Sequence, residues 1–244
     1  MSLCYRYGVS ADLNGKCAVV TGASRGIGFA IANALVDRGC KVIITSRFAT
    51  HAEEAALKLR SQALPFVCDV RAASSVQALF EFVSSKFGRL DFLINNAGIY
   101  GPAKSVGEVS LEGWREALDI NLTGTFLCTK HAIPLMQAGS VIVNNLSVAA
   151  YHVFPNSAAY IASKQGALGL TNATREDLRP KGIRVIALVP GATDTEIWNQ
   201  FWPDAPREKM MKAAHVASAL INALLMPPET SVDEIKIMPA VGRL

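Results

Sequence analysis

The chain has 244 residues, half of them hydrophobic and 18% charged, so it has enough apolar sequence to bury the core of one large α/β domain. Its net charge of +4 is mild, and the densest basic stretch, at 179–184, has no interleaved aromatic residues, which argues against nucleic-acid binding. No run approaches the ~18 apolar residues of a membrane span and no signal pattern opens the chain, so we expect a cytoplasmic protein.

The cysteines and histidines predict no metal site. Five cysteines are an odd number, and their wide spacing without a Cys-x-x-Cys pair is typical of reduced, mostly buried thiols. The four histidines form no ligand cluster with them. These residues are Cys4, Cys17, Cys40, Cys68, Cys128, His51, His131, His152 and His215.

Short apolar runs alternate with helical stretches along the chain. The runs are β-branched and nearly continuous, as in strands covered on both faces, and lie at 17–21, 41–45, 65–68, 90–95, 140–146, 184–189 and 235–238. Apolar residues at helical spacing lie between them, at 29–39, 53–63, 74–88, 114–136, 162–182 and 215–226. Gly39, Gly88 and Gly182 fall where helices should end. This order predicts an α/β protein with a three-layer, doubly wound Rossmann fold: a mostly seven-stranded parallel sheet with helices on both faces. No linker interrupts it, so we predict a single domain over 1–244, with 1–12 as an N-terminal extension.

A glycine-rich stretch joins the first predicted strand to the first helix. Its spacing is G-x-x-x-G-x-G, and it stands where a dinucleotide can place its pyrophosphate against the free N–H groups of a helix N-terminus. A purely structural turn is the alternative, and the position between strand and helix argues against it. The candidate cofactor contacts are Gly22, Ser24, Arg25, Gly26, Ile27 and Gly28.

The end of the second strand predicts which dinucleotide binds. NAD-binding chains usually carry an acidic residue there, whereas this chain has Ser46 and Arg47. Arg47, with Arg25 facing the same region, can pair with a 2′-phosphate. We therefore favour NADP(H), with NAD(H) possible; the alternative is that both arginines are solvated surface residues.

The third and fourth strands end at the same edge of the sheet and supply further candidates. Asp69 and Val70 follow the third strand, and Asp69 either contacts adenine or caps the next helix. Asn95, Ala97 and Gly98 follow the fourth, where small residues let the backbone approach a cofactor.

The stretch 145–164 brings together a hydroxyl, a phenol and an amine. Tyr160 and Lys164 are four residues apart, so in a helix they lie on one face. An ammonium group next to a phenol favours the phenolate and lowers its pKa, which would allow Tyr160 to exchange a proton with a substrate oxygen. An ordinary amphipathic helix with a packed tyrosine and a solvated lysine is the alternative.

These motifs together resemble the short-chain dehydrogenase/reductase family, in its single-domain branch of about 250 residues. TGASRGIG, NNAG, Asn121 within DINLTG, Ser147, YIASK and Pro190-Gly191 occur in the family's order, and the resemblance extends from about Leu13 to Met238. It implies that Tyr160 is the general acid or base and that Lys164 lowers its pKa and binds the nicotinamide ribose. It also implies that Ser147 holds the substrate oxygen and that Asn121 sits at a helix distortion that leads a proton relay to the lysine. Taken alone, Asn121 is equally a buried polar residue satisfied within its helix.

The segment after the sixth strand matches the family's P-G-x-x-x-T, which makes Pro190, Gly191, Thr193 and Thr195 further candidate cofactor contacts. Residues 193–214 are then rich in aromatic residues and methionine, which predicts an apolar lid over the substrate; a core patch or subunit contact is the alternative. The lid candidates are Ile197, Trp198, Phe201, Trp202, Met210 and Met211, with Tyr151, His152, Val153 and Phe154 on the opposite wall.

The motifs are most similar to those of 3-oxoacyl-carrier-protein reductases, with two departures. Leu146 replaces the family's usual second serine, and the C-terminal strand leads to Met238-Pro239 rather than to a glycine pair. We therefore expect an NADP(H)-dependent oxidoreductase of CH–OH groups (EC 1.1.1.-) that reduces an apolar ketone or 3-oxoacyl substrate. An NAD(P)-dependent alcohol, sugar or steroid dehydrogenase is the alternative, and a non-catalytic cofactor sensor or scaffold is the alternative of another class. By the same resemblance we expect a homo-tetramer or homo-dimer, with His131, Leu168 and Leu170 on the contacting helices.

Overall fold

Seven parallel strands form one sheet at the centre of the molecule. The computed structural model describes residues 13–59, 62–227 and 229–244. Cys4 and the predicted N-terminal extension lie outside the described residues. The strands of this sheet stand in the order β3-β2-β1-β4-β5-β6-β9, and β7 and β8 form a separate two-stranded sheet. The strands are β1 (Cys17–Val20), β2 (Lys41–Ser46), β3 (Ala63–Val67), β4 (Phe92–Asn95), β5 (Val141–Asn145), β6 (Arg184–Pro190), β7 (Thr193–Asp194), β8 (Met211–Lys212) and β9 (Glu234–Ile237).

Helices cover both faces of this sheet. They are α1 (Gly26–Val36), α2 (Ala49–Lys58), α3 (Ala73–Phe87), α4 (Leu111–Leu118), α5 (Gly124–Ala132), α6 (Ala158–Leu178) and α7 (Ala213–Leu224). Val20 and Ile44 face one apolar cluster, which contains residues of α1 and α7, whereas Val19 and Ile43 face a second, which contains residues of α3. Because adjacent strand residues point to opposite faces, burying both faces requires the continuous apolar runs seen in the sequence. The predicted three-layer, doubly wound fold is confirmed.

The chain reverses its direction of growth across the sheet after β3. It runs outward from β1 to β3 and then crosses back to place β4 on the other side of β1. In open sheets of this kind, a crevice forms beyond the carboxyl ends of the strands at such a reversal. The crevice therefore lies where the loops after β1 and β4 meet.

The helix predicted at 114–136 is interrupted in the structure. A π-helical turn, Asp119–Thr123, lies between α4 and α5 and contains Asn121.

Gly88 was predicted to end a helix, and it does so at the end of α3 with a left-handed φ of 68°. No helix of the described residues is long and apolar enough to cross a membrane.

Candidate active site

A cavity of about 730 Å³ opens at the carboxyl ends of the strands. Most of the residues predicted from the sequence line it: Gly22, Ser24, Arg25, Gly26, Ile27, Ser46, Arg47, Asp69, Val70, Ala97, Gly98, Ser147, Tyr160, Lys164, Pro190, Gly191, Thr193 and Thr195. Gly28, Asn95 and Asn121 do not line it, and each has a structural contact behind the cavity wall. One continuous cavity thus joins the glycine loop to the Ser147–Tyr160–Lys164 group.

The glycine loop can adopt its path only with small residues. Gly22 has φ 60°, and a Cβ there would lie 2.8 Å from Ala97 Cα. A Cβ on Gly28 would lie 2.2 Å from Asn96 Nδ2. Helix α1 begins at Gly26 and no side chain caps it, so its first N–H groups have no side-chain acceptor. Such a loop and helix start fit the pyrophosphate of a dinucleotide.

Of the two adjacent asparagines at the end of β4, the second one holds this loop. Asn96 Nδ2 donates to Thr21 O at 2.9 Å and to Gly22 O at 3.0 Å. Asn95, the residue predicted to contact the cofactor, instead points into the sheet, where its Nδ2 donates to Asn144 Oδ1 at 2.8 Å. Neighbouring strand residues face opposite sides, so only one of the pair can reach the loop. Asn95 therefore supports the sheet beneath the cavity.

Positive charge collects at the end of the cavity formed by β2 and β3. Arg25 and Arg47 both line it, and the Arg47 guanidinium lies over the Phe48 ring at 5.0 Å from the centroid. The carboxylate of Asp69 accepts a hydrogen bond from Arg71 Nη2 at 2.6 Å, and Arg71 holds the pKa of that carboxyl below its usual range. Asp69 does not cap α3, since the N-cap residue is Ala72. Its charge is compensated by Arg71, so Arg25 and Arg47 remain available to a phosphate.

Tyr160 and Lys164 lie on consecutive turns of α6, as their spacing predicts. Ser147, two residues beyond the end of β5, is hydrogen-bonded to Tyr160. Lys164 Nζ lies 5.8 Å from the centre of the Tyr160 ring and donates a hydrogen bond to Asn145 O at 2.9 Å. The hydroxyl, phenol and amine therefore meet at one wall of the cavity.

The protonation states differ from those expected from the sequence. Burial raises the pKa of Tyr160 to about 12, against a lowering effect of the Ser147 hydrogen bond and with a further rise from Tyr100. Burial also lowers the pKa of Lys164 to about 8. The sequence predicts that Lys164 lowers the pKa of Tyr160, but in this structure the pKa is raised, because desolvation disfavours the charged form of both groups. The resting phenol is protonated at neutral pH.

Asn121 connects the loop after β4 to α6 from behind the cavity. Its Oδ1 accepts from Ile99 N at 2.9 Å, and its Nδ2 donates to Ile99 O at 2.8 Å and to Ser163 Oγ at 2.9 Å. Ser163 precedes Lys164, so Asn121 fixes the turn of α6 that carries the lysine. The helix distortion implied by the family resemblance is present, as the π-helical turn. The proton relay stays a prediction.

Part of the predicted lid lines the cavity. Ile197, Trp198, Phe201 and Trp202 lie on its wall. Met210 and Met211 do not; they are only 9% and 6% exposed, as expected of core residues rather than lid residues. Of the aromatic insert, only Phe154 reaches the cavity. The Tyr151 hydroxyl donates to Glu234 instead, His152 does not line the cavity, and the Val153 side chain is 75% exposed.

Several cavity residues were not singled out from the sequence. Each lies one to four positions in the sequence from a residue that was predicted as part of the site. Together with the alternation of side chains along a strand, this proximity could have identified them. They are Phe48, His51, Arg71, Asn96, Ile99, Tyr100 and Asn145. Tyr100, two residues beyond the NNAG motif, contacts both the lid and Tyr160.

The described residues contain no group of three or more side chains suited to hold a metal ion. Cys17, Cys40, Cys68 and Cys128 are buried thiols outside any disulfide. Burial raises the pKa of Cys17 to about 12, so this thiol stays protonated at neutral pH. These cysteines therefore act as small core residues.

Comparison with known proteins gives concordant results. The model of the short chain dehydrogenase family matches residues 16–206. A 3β-hydroxysteroid dehydrogenase of Mediterraneibacter gnavus is 40% identical over 186 residues, which are 75% of this chain and 67% of that relative. A short chain dehydrogenase from Burkholderia cenocepacia J2315, solved in complex with NADP, has a TM-score of 0.85 at 32% identity, over 93% of this chain and 98% of that chain. A 3-ketoacyl-(acyl-carrier-protein) reductase from Brucella melitensis, solved with NADH, has a TM-score of 0.85 at 30% identity, over 95% of this chain and 99% of that chain.

Proposed function

Because this chain belongs to the short chain dehydrogenase family, whose members are oxidoreductases, we propose that it transfers hydride between NADP(H) and a carbonyl or secondary alcohol. The favoured direction is reduction of an apolar ketone. The observation that carries the proposal is the meeting of Ser147, Tyr160 and Lys164 in the cavity that the glycine loop also lines. The cavity, at about 730 Å³, lies in the upper part of the range of about 300–1,000 Å³ that is usual for ligand pockets.

In this mechanism the chain supplies orientation and the proton, while a bound nicotinamide supplies the hydride. Ser147 donates a hydrogen bond to the substrate oxygen and so polarises the carbonyl. Tyr160 gives its hydroxyl proton to that oxygen as the negative charge develops there. A phenol with a pKa of about 12 is fully protonated at neutral pH, which suits the donor role.

Lys164 and Asn121 support Tyr160 in different ways. Among the described residues, Lys164 Nζ donates one hydrogen bond, to the Asn145 carbonyl oxygen, and it can offer its other hydrogens to a ribose hydroxyl. Its pKa of about 8 keeps it mostly charged at neutral pH, so it stabilises the phenolate left by proton transfer. Asn121 holds the helical turn that carries Lys164 through its bond to Ser163.

The preference for NADP(H) is supported by charge at the far end of the cavity. Arg25 and Arg47 line it, no acidic residue follows β2, and Asp69 is already paired with Arg71. A guanidinium pairs well with a 2′-phosphate, whereas NAD would need an acceptor for its ribose hydroxyls. Since one solved relative was crystallised with NADP and another with NADH, the choice rests on these residues of the chain itself.

The same proposal covers the whole chain and its assembly. We treat 1–244 as one catalytic domain and the cytoplasm as its location. Within the predicted lid at 193–214, the residues that line the cavity are proposed to cover the substrate: Ile197, Trp198, Phe201 and Trp202. Self-association through α5 and α6 is supported by Phe126 on α5, which is 45% exposed. His131 stacks on Phe80 at 6.5 Å, so it has an intramolecular contact as well. Light scattering tests for a dimer or tetramer.

The proposal is tested by following NADPH absorbance with a panel of ketones, diketones and acetoacetyl thioesters, and then repeating the active reactions with NADH. We expect turnover of at least one apolar ketone and a lower KM for NADPH than for NADH. Tight NADPH binding without turnover of any compound would instead support the cofactor-sensing alternative. Turnover restricted to steroid ketones, the oxidised forms of the hydroxysteroids named for the Mediterraneibacter relative, would narrow the substrate class rather than change the chemistry.

A further inference from the structure

Tyr100 lies between the catalytic tyrosine and the lid. Its ring stacks on the Tyr160 ring with centroids 4.8 Å apart and planes inclined by 30°. It also stacks on the Phe201 ring, at 3.7 Å and 4°. Two rings this close and this nearly parallel to Tyr100 cannot share one of its faces, so Tyr100 is sandwiched between Tyr160 and Phe201.

The orientation of the Tyr100 ring is fixed by its hydroxyl group. Ser157 Oγ donates to Pro155 O at 2.9 Å, and Tyr100 in turn donates to Ser157 Oγ. Ser157 is the residue immediately before α6, the helix that carries Tyr160. The ring of Tyr100 is therefore tied to the same helix start as the reacting phenol.

The lid side of this stack is also fixed. Trp198 Nε1 donates to Thr193 O at 2.8 Å, and the Trp198 ring lies 4.9 Å from Phe201 and 6.0 Å from Trp202. Tyr100, Trp198, Phe201 and Trp202 all line the cavity. The result is a continuous aromatic wall that begins at the catalytic phenol.

We infer that Tyr100 is a specificity-determining residue that selects ketones with a flat ring attached to the carbonyl carbon, an inference that rests on the proposed function. Both faces of Tyr100 are covered, so a substituent on a carbonyl carbon whose oxygen reaches Tyr160 and Ser147 would meet the edges of the Tyr100–Phe201 stack, where a flat ring can pack edge to face. Flat rings gain dispersion and quadrupole contacts against aromatic side chains and lose little conformational freedom on binding. A linear chain of the same size gains less and is ordered at greater cost.

The polar groups of this wall argue against a polyol as the preferred substrate. Of the donors in the wall, the Tyr100 hydroxyl and the Trp198 N–H already have acceptors within the protein, and the Trp202 N–H is the remaining one. A polyhydroxylated chain placed beside Tyr100 and Trp198 would lose hydration and replace few of its hydrogen bonds, which disfavours it.

The test compares two ketones with the same number of carbon atoms, the bicyclic tetralone and the linear decanone, with NADPH as reductant. The variants are Tyr100→Ala, Tyr100→Phe and Phe201→Leu. The control is Tyr151→Phe, because Tyr151 loses a comparable hydroxyl hydrogen bond outside the cavity. Melting temperature and NADPH affinity are measured for each variant.

We expect the wild-type protein to prefer tetralone, and Tyr100→Ala to lower kcat/KM about tenfold for tetralone but less than about threefold for decanone, the scale of one aromatic contact. Tyr100→Phe keeps the ring and should retain most of the preference, and Phe201→Leu, which removes one flat face, should reduce it. If Tyr100→Ala does not fold, Phe201→Leu carries the test. NADPH affinity should stay within about threefold of wild type throughout.

Equal losses with both ketones in Tyr100→Ala or Phe201→Leu would overturn the inference, as would equal wild-type activity with both; in either case the proposed function would stand. No reduction of either ketone, or of any other carbonyl compound in the panel, would overturn the proposed function together with the inference.

Discussion

Replacing Gly28 by alanine tests how the cofactor loop is held. A Cβ at this position would lie 2.2 Å from Asn96 Nδ2 and 2.7 Å from Gly22 O. Asn96 must then move, and its side chain makes three hydrogen bonds: to Thr21 O, to Gly22 O and from Asn145 Nδ2 at 2.8 Å. The substitution therefore disturbs the loop, the end of β4 and the end of β5 together.

The expected cost follows from these contacts. Three weakened hydrogen bonds amount to about 3 kcal/mol at most. Overpacking adds about 1 kcal/mol, and the better helix propensity of alanine recovers about 1 kcal/mol. We expect the free energy of unfolding to fall by about 3 kcal/mol, which lowers Tm by about 10 °C for a chain of this length. NADPH affinity should fall at least about tenfold, because the loop itself shifts.

Calorimetry checks the expected fall in Tm, and fluorescence titration checks the expected fall in NADPH affinity. Gly107→Ala is the control, because a Cβ at Gly107 would meet nothing within 4 Å.

A second comparison uses Asn96→Ala and the double variant that combines it with Gly28→Ala. With the Asn96 carboxamide removed, the alanine at position 28 still lies 2.7 Å from Gly22 O, so the double variant should be less stable than Asn96→Ala alone but more stable than the sum of the two changes predicts. Simple additivity of the two changes, or a Gly28→Ala protein that melts and binds like the Gly107→Ala control, would refute this account of the loop.

The catalytic and cofactor-binding assignments give three further predictions. Tyr160→Phe should lower kcat at least about a hundredfold, the scale of one acid–base group, while fluorescence titration still shows NADPH binding; full activity would remove Tyr160 from the proton-donor role. Arg47→Ala should raise the KM for NADPH about tenfold or more and leave the KM for NADH nearly unchanged, and equal effects on both would contradict a 2′-phosphate contact. Lys164→Met should abolish turnover and weaken NADPH binding, yet stabilise the protein at pH 7 by up to about 3 kcal/mol, because burial lowers the lysine pKa from 10.5 to about 8. Folding releases the Lys164 proton between pH 8 and 10.5, so wild-type stability gains with rising pH in that window, and denaturant titrations should show the advantage of the variant vanish above about pH 10.5.

The strands were predictable because a strand that is buried on both faces of the sheet requires apolar residues at nearly every position. Ile43, Leu93 and Ile142 are completely buried, and no polar residue could have occupied their positions without a partner. The glycine loop was predictable for the complementary reason that a side chain at Gly22 would strike the backbone of Ala97. Both predictions depend on what each single position can accommodate, so they can be made from the sequence without knowledge of the fold.

The residues that the sequence did not identify have roles that depend on the direction in which the side chain points from its strand or loop. That direction is set by the fold. Asn95 and Asn96 are chemically identical neighbours, and only the exit angle of β4 decides that Asn96 holds the loop while Asn95 bonds Asn144. The methionines at 210 and 211 have a composition suited to a lid, but β8 pairs with β7 and so turns Met211 into the core. Tyr100 acquires its place only when the lid folds back over the end of β4, a contact between residues one hundred and one positions apart.

The protonation state of Tyr160 also could not be predicted from the sequence alone. Spacing on a helix places an ammonium group near a phenol, and from that neighbourhood alone one expects the phenol pKa to fall. The pKa is set by two opposing effects, however, and the sequence reveals only the nearby charge, whereas desolvation depends on how completely the lid, Tyr100 and the ends of the strands cover the site. In the folded chain desolvation is the larger effect and raises the Tyr160 pKa to about 12, so the phenol keeps its proton until a developing negative charge on a bound oxygen draws it away. Burial thus keeps the proton on Tyr160 until the hydride arrives, although the raised pKa also makes the phenol a weaker acid. Proton transfer therefore depends on Lys164, which stabilises the phenolate that remains.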